Sequence, residues 1–459
     1  MTLTVNLQPL IHKLPSEILC QIFVVHGSRN KLSRHREIPG FKITAVCSYW
    51  RTVALATIEL WNSISLVVTH QWDDSKDYLL QRLLDLSAQS ALFVSIDIMG
   101  PSTQIPPVLH RLFNQSRRWQ TLSVVCIPSP FLELISQLPL DSLLAFDLTT
   151  LQSLIGLHPL KAPKLHRLIL HLIDLIDLNT SFIPWPQITS LTVRKGYIPL
   201  ILEVLPRMPN LSKLNFRLGV SREIISDRSQ PAVKSNLTSL AVSFRIQQTV
   251  HPFFDAVLLP NLTSLTLISE RDVVCDATSA ASDSIAEWSQ TTLPSLLTRS
   301  GSSAILTSFT LQEIQIRPID LTSLLHLMPN LRNLSLSEPF SGPDSKPRMA
   351  NHFLSTLALH SDVSSSESGL VPNLTSLSLD LRRPFDSDSN LMMLLDLITS
   401  RPNLRTVYLK IHNEDLNPSD FLVASFADLR KDGMDVRIKD AHGDVLFGER
   451  RGSGKCLLE

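Results

Sequence analysis

The chain has 459 residues, with 42 lysines and arginines balanced by 42 aspartates and glutamates. A net charge of zero gives no global field to draw in a polyanion, so nucleic acid is not an expected partner. Hydrophobic residues make up 44%, enough for a folded chain, and the length suits an elongated repeat array better than one compact core. The five cysteines (Cys20, Cys47, Cys126, Cys275, Cys456) are scattered, no two closer than 27 residues. That spacing supplies neither a zinc pair nor a tight disulfide framework, and suits a reducing compartment, cytosol or nucleus. No basic start leads into a long apolar stretch, so no leader is expected. No run of ~18 apolar residues is present, so no membrane span is expected.

Residues 1–90 form a segment of their own. Leu14-Pro15-Ser16-Glu17-Ile18-Leu19 opens a helix, with proline at its first turn and Glu17 at its positive end. Ile18, Leu19, Ile22 and Phe23 are expected to form one apolar face. The polar stretch between Phe23 and Ile43, with Arg29, Lys31, Arg34, His35 and Arg36, reads as a solvated loop. A second helix is expected through Ile43, Val46, Cys47, Trp50 and Val53, and Leu60-Trp61 closes the unit. A three-helix unit of ~50 residues is thin on core, and a partner often covers its apolar surface.

Behind this segment one phrase recurs: Pro-Asn-Leu-x-x-Leu-x-Leu. It stands from Pro209, with Phe216 in last place, and from Pro260, and returns at Pro329, Pro372 and Pro402. The first apolar residue of each phrase gives an anchor series of Trp119, Leu143, Leu165, Ile188, Leu211, Leu237, Leu262, Leu306, Leu331, Leu374 and Leu404. The steps are 24, 22, 23, 23, 26, 25, 44, 25, 43 and 30 residues, which is the spacing of leucine-rich repeats with two long intervals. Leu-x-Leu puts both leucines on one face of a strand, and the proline stops the preceding helix. Ile201-Leu202-Val204-Leu205-Met208, Leu321-Leu324-Leu325-Met328 and Leu391-Leu394-Leu395-Ile398 read as helices between anchors.

The expected fold is therefore α/β: a short three-helix start, then an irregular leucine-rich-repeat solenoid with a parallel concave sheet. Four segments are expected: 8–66 helical; 67–118 linker helices and first degenerate repeats; 119–428 the solenoid, with insertions near 272–304 and 339–371; and 429–459 a cap and tail. The asparagine ladder of regular arrays is not expected, because the place three residues past the last strand leucine holds Ile173, Gly196, Gly219, Arg245, Glu270 and Pro339. Variable strand positions, among them Arg167, Lys213, Asn215, Thr266, Asn333 and Ser335, are the candidate target-binding residues. They form a small, polar, nearly uncharged strip.

Leu14-Pro15-x-Glu17-Ile18-Leu19, then Val46-Cys47-Ser48-Tyr49-Trp50-Arg51, Ala54 and Leu60-Trp61 resemble an F-box. With the repeats behind it, the chain is similar to fungal F-box proteins with divergent leucine-rich repeats. The resemblance implies a non-catalytic substrate receptor of an SCF-type ubiquitin ligase, docking on the Skp adaptor and through it a cullin, while the repeats hold a target protein. Carried over by position, Leu14, Pro15, Ile18 and Leu19 face the adaptor, while Ile22, Val46, Trp50 and Trp61 divide between domain core and adaptor contact. The competing expectation is a plain interaction scaffold in which the same helices only cap the array.

Motifs for other chemistry fail on inspection. Gly452-Ser453-Gly454-Lys455 lacks the first glycine of a phosphate loop, where Glu449 stands, and Cys456 replaces the magnesium-binding hydroxyl. Asp386-x-Asp388-x-Asn390 has Leu391 and Leu397 where a calcium loop needs glycine and glutamate. His166 and His171 flank a strand and do not make a metal site. Seven Asn-x-Ser/Thr sequons occur, five of them inside the repeat phrase, and without a leader they are expected to stay bare. No paired acid and base, cofactor loop or metal set is expected, and hence no enzyme.

Overall fold

The computed structural model describes residues 14–27, 30–32, 38–69, 74–99, 107–125, 129–149, 157–171, 181–219, 232–270, 291–314, 316–338, 370–381, 388–412 and 419–439. Two compact units divide the chain, Met1–Asn210 and Leu211–Glu459.

Among its described residues the first unit carries seven parallel strands, each paired to the next in chain order: β1 (Asn30–Leu32), β2 (Ser63–Val68), β3 (Leu92–Ile98), β4 (Trp119–Val125), β5 (Ala145–Thr149), β6 (Arg167–Leu170) and β7 (Ser190–Gly196). Alternation drives them. In β2 the sequence Ser-Ile-Ser-Leu-Val-Val buries Ile64, Leu66 and Val68 and turns Ser63, Ser65 and Val67 outward. The helices are α1 (Ser16–Gly27), α2 (Pro39–Thr44), α3 (Ser48–Ala56), α4 (Asp74–Leu86), α5 (Pro107–Phe113), α6 (Ser129–Gln137) and α7 (Ile198–Val204).

Three expectations for the opening segment change. The region read as a loop contains β1, which pairs in parallel with β2. A polar residue, Asn30, is tolerated in its core because Nδ2 donates to the Leu60 carbonyl at 2.7 Å. The single helix expected through residues 43–54 is two, because Cys47 is extended (φ −158°) and its sulfur caps α3 by accepting from the Trp50 amide at 3.4 Å. The expected boundary at residue 66 falls inside β2, so regular strand pairing begins well before Trp119.

Among its described residues the second unit has eight parallel strands in the order β8 (Lys213–Leu218), β10 (Ser239–Phe244), β12 (Ser264–Ser269), β13 (Ser308–Gln312), β14 (Asn333–Ser337), β15 (Ser376–Leu381), β16 (Thr406–Ile411) and β17 (Asp435–Lys439). The short β9 (Val233–Lys234) and β11 (Val257–Leu258) pair separately. Its helices are α8 (His251–Ala256), α9 (Thr292–Ser300), α10 (Pro318–His326), α11 (Asp388–Thr399) and α12 (Asp420–Lys431). The described end of the first expected insertion holds α9, while 271–290 and 339–369, the bulk of the two expected insertions, lie outside the described residues. The C-terminal helix–turn–strand is present: α12 turns through Gly433, whose φ of +89° favours glycine, into β17.

The leucine phrase does what its period requires. Leu240, Leu265, Phe309, Leu334, Leu377, Val407 and Val436 lie in one register row, and all are buried. The anchors Leu237, Leu262, Leu306, Leu331, Leu374 and Leu404 lie beneath them, each at most 1% exposed. This is a stack of leucine-rich repeats, because no single repeat can cover its own apolar face.

Two polar devices bind repeat to repeat. The asparagine of the phrase donates its side-chain amide to the repeat before it: Asn210 to Pro186 O (2.8 Å), Asn330 to Ala304 O (2.6 Å), Asn373 to Pro329 O (3.2 Å) and Asn403 to Pro372 O (3.4 Å). A ladder expected to be absent is thus supplied from a different position. Beside it runs a hydroxyl ladder. Thr238 donates to Ser212 O (3.0 Å), Thr263 to Thr238 O (3.0 Å), Thr307 to Thr263 O (3.2 Å) and Thr375 to Arg332 O (3.1 Å). Such bonds satisfy carbonyls that side-by-side stacking leaves with spare lone pairs.

Arginines add a third device. Arg118 reaches Ser90 O (2.9 Å) and Ser87 Oγ (2.8 Å), Arg299 reaches Phe254 O (2.6 Å), and Arg401 reaches Val371 O (2.9 Å) and Leu370 O (2.8 Å). Each clamps backbone from the preceding repeat with a rigid fork of donors.

Candidate interaction surfaces

Two surfaces carry the residues singled out from the sequence. The first is the helical start of the first unit. Helices α1, α2 and α3 pack on one another. Leu19 and Phe23 point inward, and Phe23 lies against the Trp50 ring at 5.0 Å between centroids. Trp61 is fully buried, with Nε1 donating to Ala54 O at 2.9 Å and its ring lying close over Gly40. A β-carbon on Gly40 would stand 2.6 Å from that ring.

The single apolar face expected on α1 therefore divides. Leu19 was expected to face a partner and is instead core, because an i, i+4 pair with Phe23 serves the interior. Trp61 is core as well. Trp50 is half-buried, and Leu14 is half-buried with its carbonyl accepting from the Tyr49 hydroxyl at 3.2 Å. Pro15 is exposed. Ile18 (42% exposed), Ile22 (47%) and Val46 (59%) stay open to solvent, joined by Val25 (80%), which periodicity also makes legible at one turn past Ile22 and two past Ile18. The small helical unit thus leaves four branched aliphatic side chains exposed.

The second surface is the outward face of the sheets. In the first unit, β6 places Arg167 there. On the same face His171 Nε2 lies 3.1 Å from Asp147, and on β3, three strands from β6, Asp97 has its pKa raised by burial against the opposing pull of Lys31. In the second unit the register puts Lys213, Ser239, Ser264, Ser308 and Asn333 in one row. Asn215, Ala241, Thr266, Thr310 and Ser335 form the next. All six expected target-binding residues therefore face outward from a sheet. Those in one row are spread over several strands at ~4.8 Å each, so they line a strip and do not converge on a point.

The sequence reading missed the far end of this strip. On β15–β17 the small hydroxyls give way to Tyr408, Lys410, Arg437 and Lys439. Asp380 accepts His412 Nε2 at 2.8 Å and stands 3.6 Å from Lys410 Nζ, Arg437 binds Asp435, and Lys439 lies 5.8 Å from the Tyr408 ring centre. Period-two alternation carried from Ser376 would have marked these positions.

No metal-ligating group of three or more His, Cys, Asp or Glu occurs among the described residues, and none of their helices is long and apolar enough to cross a membrane.

No family model matches the chain, and no curated protein matches it. Among solved structures it is similar to a crystal structure of a TLR13–ssRNA13 complex, at 13% identity and a TM-score of 0.36, covering 76% of this chain and 46% of that one. The chain thus spans less than half the length of that neighbour, and at this TM-score the likeness carries no argument. The assignment as stacked leucine-rich repeats rests on the register rows and anchors described above.

Proposed function

We propose that this chain is an F-box protein, the target-recognition subunit of an SCF-type ubiquitin ligase. In this reading α1–α3 dock on a Skp adaptor, and through it a cullin, in the cytosol or nucleus. The repeats present a target protein, and transfer of ubiquitin belongs to other subunits. The observation that carries the reading is the pairing of the Leu14-Pro15-x-Glu17-Ile18-Leu19 phrase with an open apolar surface. Ile18 and Ile22 on α1, and Val46 in the turn between α2 and α3, are exposed where the resemblance puts adaptor contact. Burying such side chains against a partner contributes roughly 1.5–3 kcal/mol each.

The test is co-expression of the full chain with a Skp adaptor. The double variant I18D/I22D is expected to lose the complex, at least tenfold in affinity, with thermal unfolding unchanged, because both side chains are already in solvent. An adaptor that never co-purifies, or binds the variant equally, selects the scaffold reading. One observation favours that second reading: β1 pairs directly with β2, so the strand that follows α1 belongs to the same sheet as the repeats of the first unit.

A further inference from the structure

One rank of the second unit breaks its own rule. The residue immediately after each repeat anchor is Thr238, Thr263, Thr307 and Thr375, each giving its hydroxyl to a carbonyl of the repeat before. At β14 and β16 the same place holds Arg332 and Arg405. Backbone bonds keep the rank continuous: the Thr375 amide donates to Arg332 O at 2.8 Å and the Arg405 amide to Thr375 O at 2.8 Å. The two arginines thus stand two strands apart, about 10 Å between Cα atoms, on either side of Thr375.

They line an open cleft of about 320 Å³ with Thr375, Asn373 and Asn403. Both guanidinium groups are exposed, and among the described residues neither makes a hydrogen bond or ion pair. The acid nearest in sequence register, Asp435, already has both oxygens on the Arg437 guanidinium at 2.9 and 3.0 Å. The cleft floor is fixed. Asn373 directs its amide to Pro329 O and Asn330 Oδ1, and Asn403 uses one N–H on Pro372 O, which leaves it one N–H to give. Two unpaired planar cations flanking a donor-bearing, carboxylate-free cleft suit a tetrahedral dianion, which accepts from both forks at once.

The geometry points to a phosphoryl-binding site formed by Arg332 and Arg405. Its ligand is a phosphate monoester of a phosphorylated protein side chain or free phosphate, which share this chemistry. The site belongs to the second unit and the helical surface to the first, and phosphate binding is expected without an adaptor.

The test uses the full chain and ³¹P NMR line broadening at fixed ionic strength, with inorganic phosphate and N-acetyl-phosphoserine amide as separate probes. Saturable broadening is expected, weakened about tenfold by Arg332→Gln or Arg405→Gln alone and about a hundredfold in the double variant. Lys234→Gln, an exposed charge elsewhere in the same unit, is expected to leave it unchanged. Binding of the phosphoserine probe assigns the site to modified protein, and binding of phosphate alone assigns it to the free ion; both support the site. Broadening that never saturates, or that survives in the double variant, overturns it.

Discussion

Replacing Arg401 tests whether the arginine clamps hold the repeats together. Arg401 follows α11 and sends Nη1 to Val371 O at 2.9 Å and Nη2 to Leu370 O at 2.8 Å. Leu370 and Val371 are themselves buried, at 1% and 2% exposure, so water cannot easily replace the lost donors. A hydrogen bond from a charged donor contributes about 1.5–3 kcal/mol, and two are removed in Arg401→Met. Against that stands the cost of desolvating the guanidinium, which also pulls its pKa below the ordinary arginine value. The methionine keeps part of the packing volume. The net destabilisation is expected at about 2–4 kcal/mol. Arg401→Lys is expected to fall between, because one ammonium cannot present a rigid fork to two carbonyls. Urea unfolding of the full chain followed by circular dichroism gives the midpoint shift, and limited proteolysis assigns the affected transition to the second unit. A change below about 0.5 kcal/mol in Arg401→Met would refute the idea that these side chains fasten one repeat to the next.

Gly40→Ala forces a methyl against the Trp61 ring, and is expected to cost about 1–3 kcal/mol and to weaken adaptor capture by displacing α2, both read from one preparation. Arg332→Thr is expected to restore the hydroxyl ladder to Thr307 O, raising stability by about 1 kcal/mol while weakening phosphate binding about tenfold. Burial lowers the His251 pKa, with Asp255 opposing, so its contribution to stability is full above the unfolded value of ~6.5 and is lost as pH falls from there through the folded value. His251→Gln should therefore flatten the decline in melting temperature between pH 7.5 and pH 5, and an unchanged slope would assign that decline to other groups.

The leucine rows were legible because a period of two allows only one inward set, and the Pro-Asn-Leu phrase marks where each strand begins. The ladder was missed for a reason of position: asparagine was sought after the strand, whereas Asn210, Asn330, Asn373 and Asn403 bond from before it. The clamps were invisible because Arg118, Arg299 and Arg401 meet carbonyls roughly one repeat or more away in sequence, and nothing local to an arginine marks such a partner. On α1, periodicity grouped Ile18, Leu19, Ile22 and Phe23 correctly as apolar. It could not say which pair faces the core, since that depends on where Trp50 and Leu60 come to lie. β1 escaped notice because its three residues are two polar ones and a leucine, too short for any period to show.

The same rank of residues fastens some repeats together and leaves exposed cations in others. Where threonine follows the anchor, its hydroxyl is used on the neighbouring repeat and has little left to offer a ligand. Where arginine follows it, the backbone bonds of the rank persist, so the stack gives up only one side-chain bond, about 1 kcal/mol, at each such position. A stack stabilised by many small, redundant bonds can therefore exchange a few of them for exposed chemistry without losing its register. The exchange is cheapest where strands on both sides hold the backbone in place; β14 lies between β13 and β15, and β16 between β15 and β17. By contrast the outward strip between β10 and β14 carries mostly small uncharged side chains, and its aromatic and charged ones stand on β15–β17.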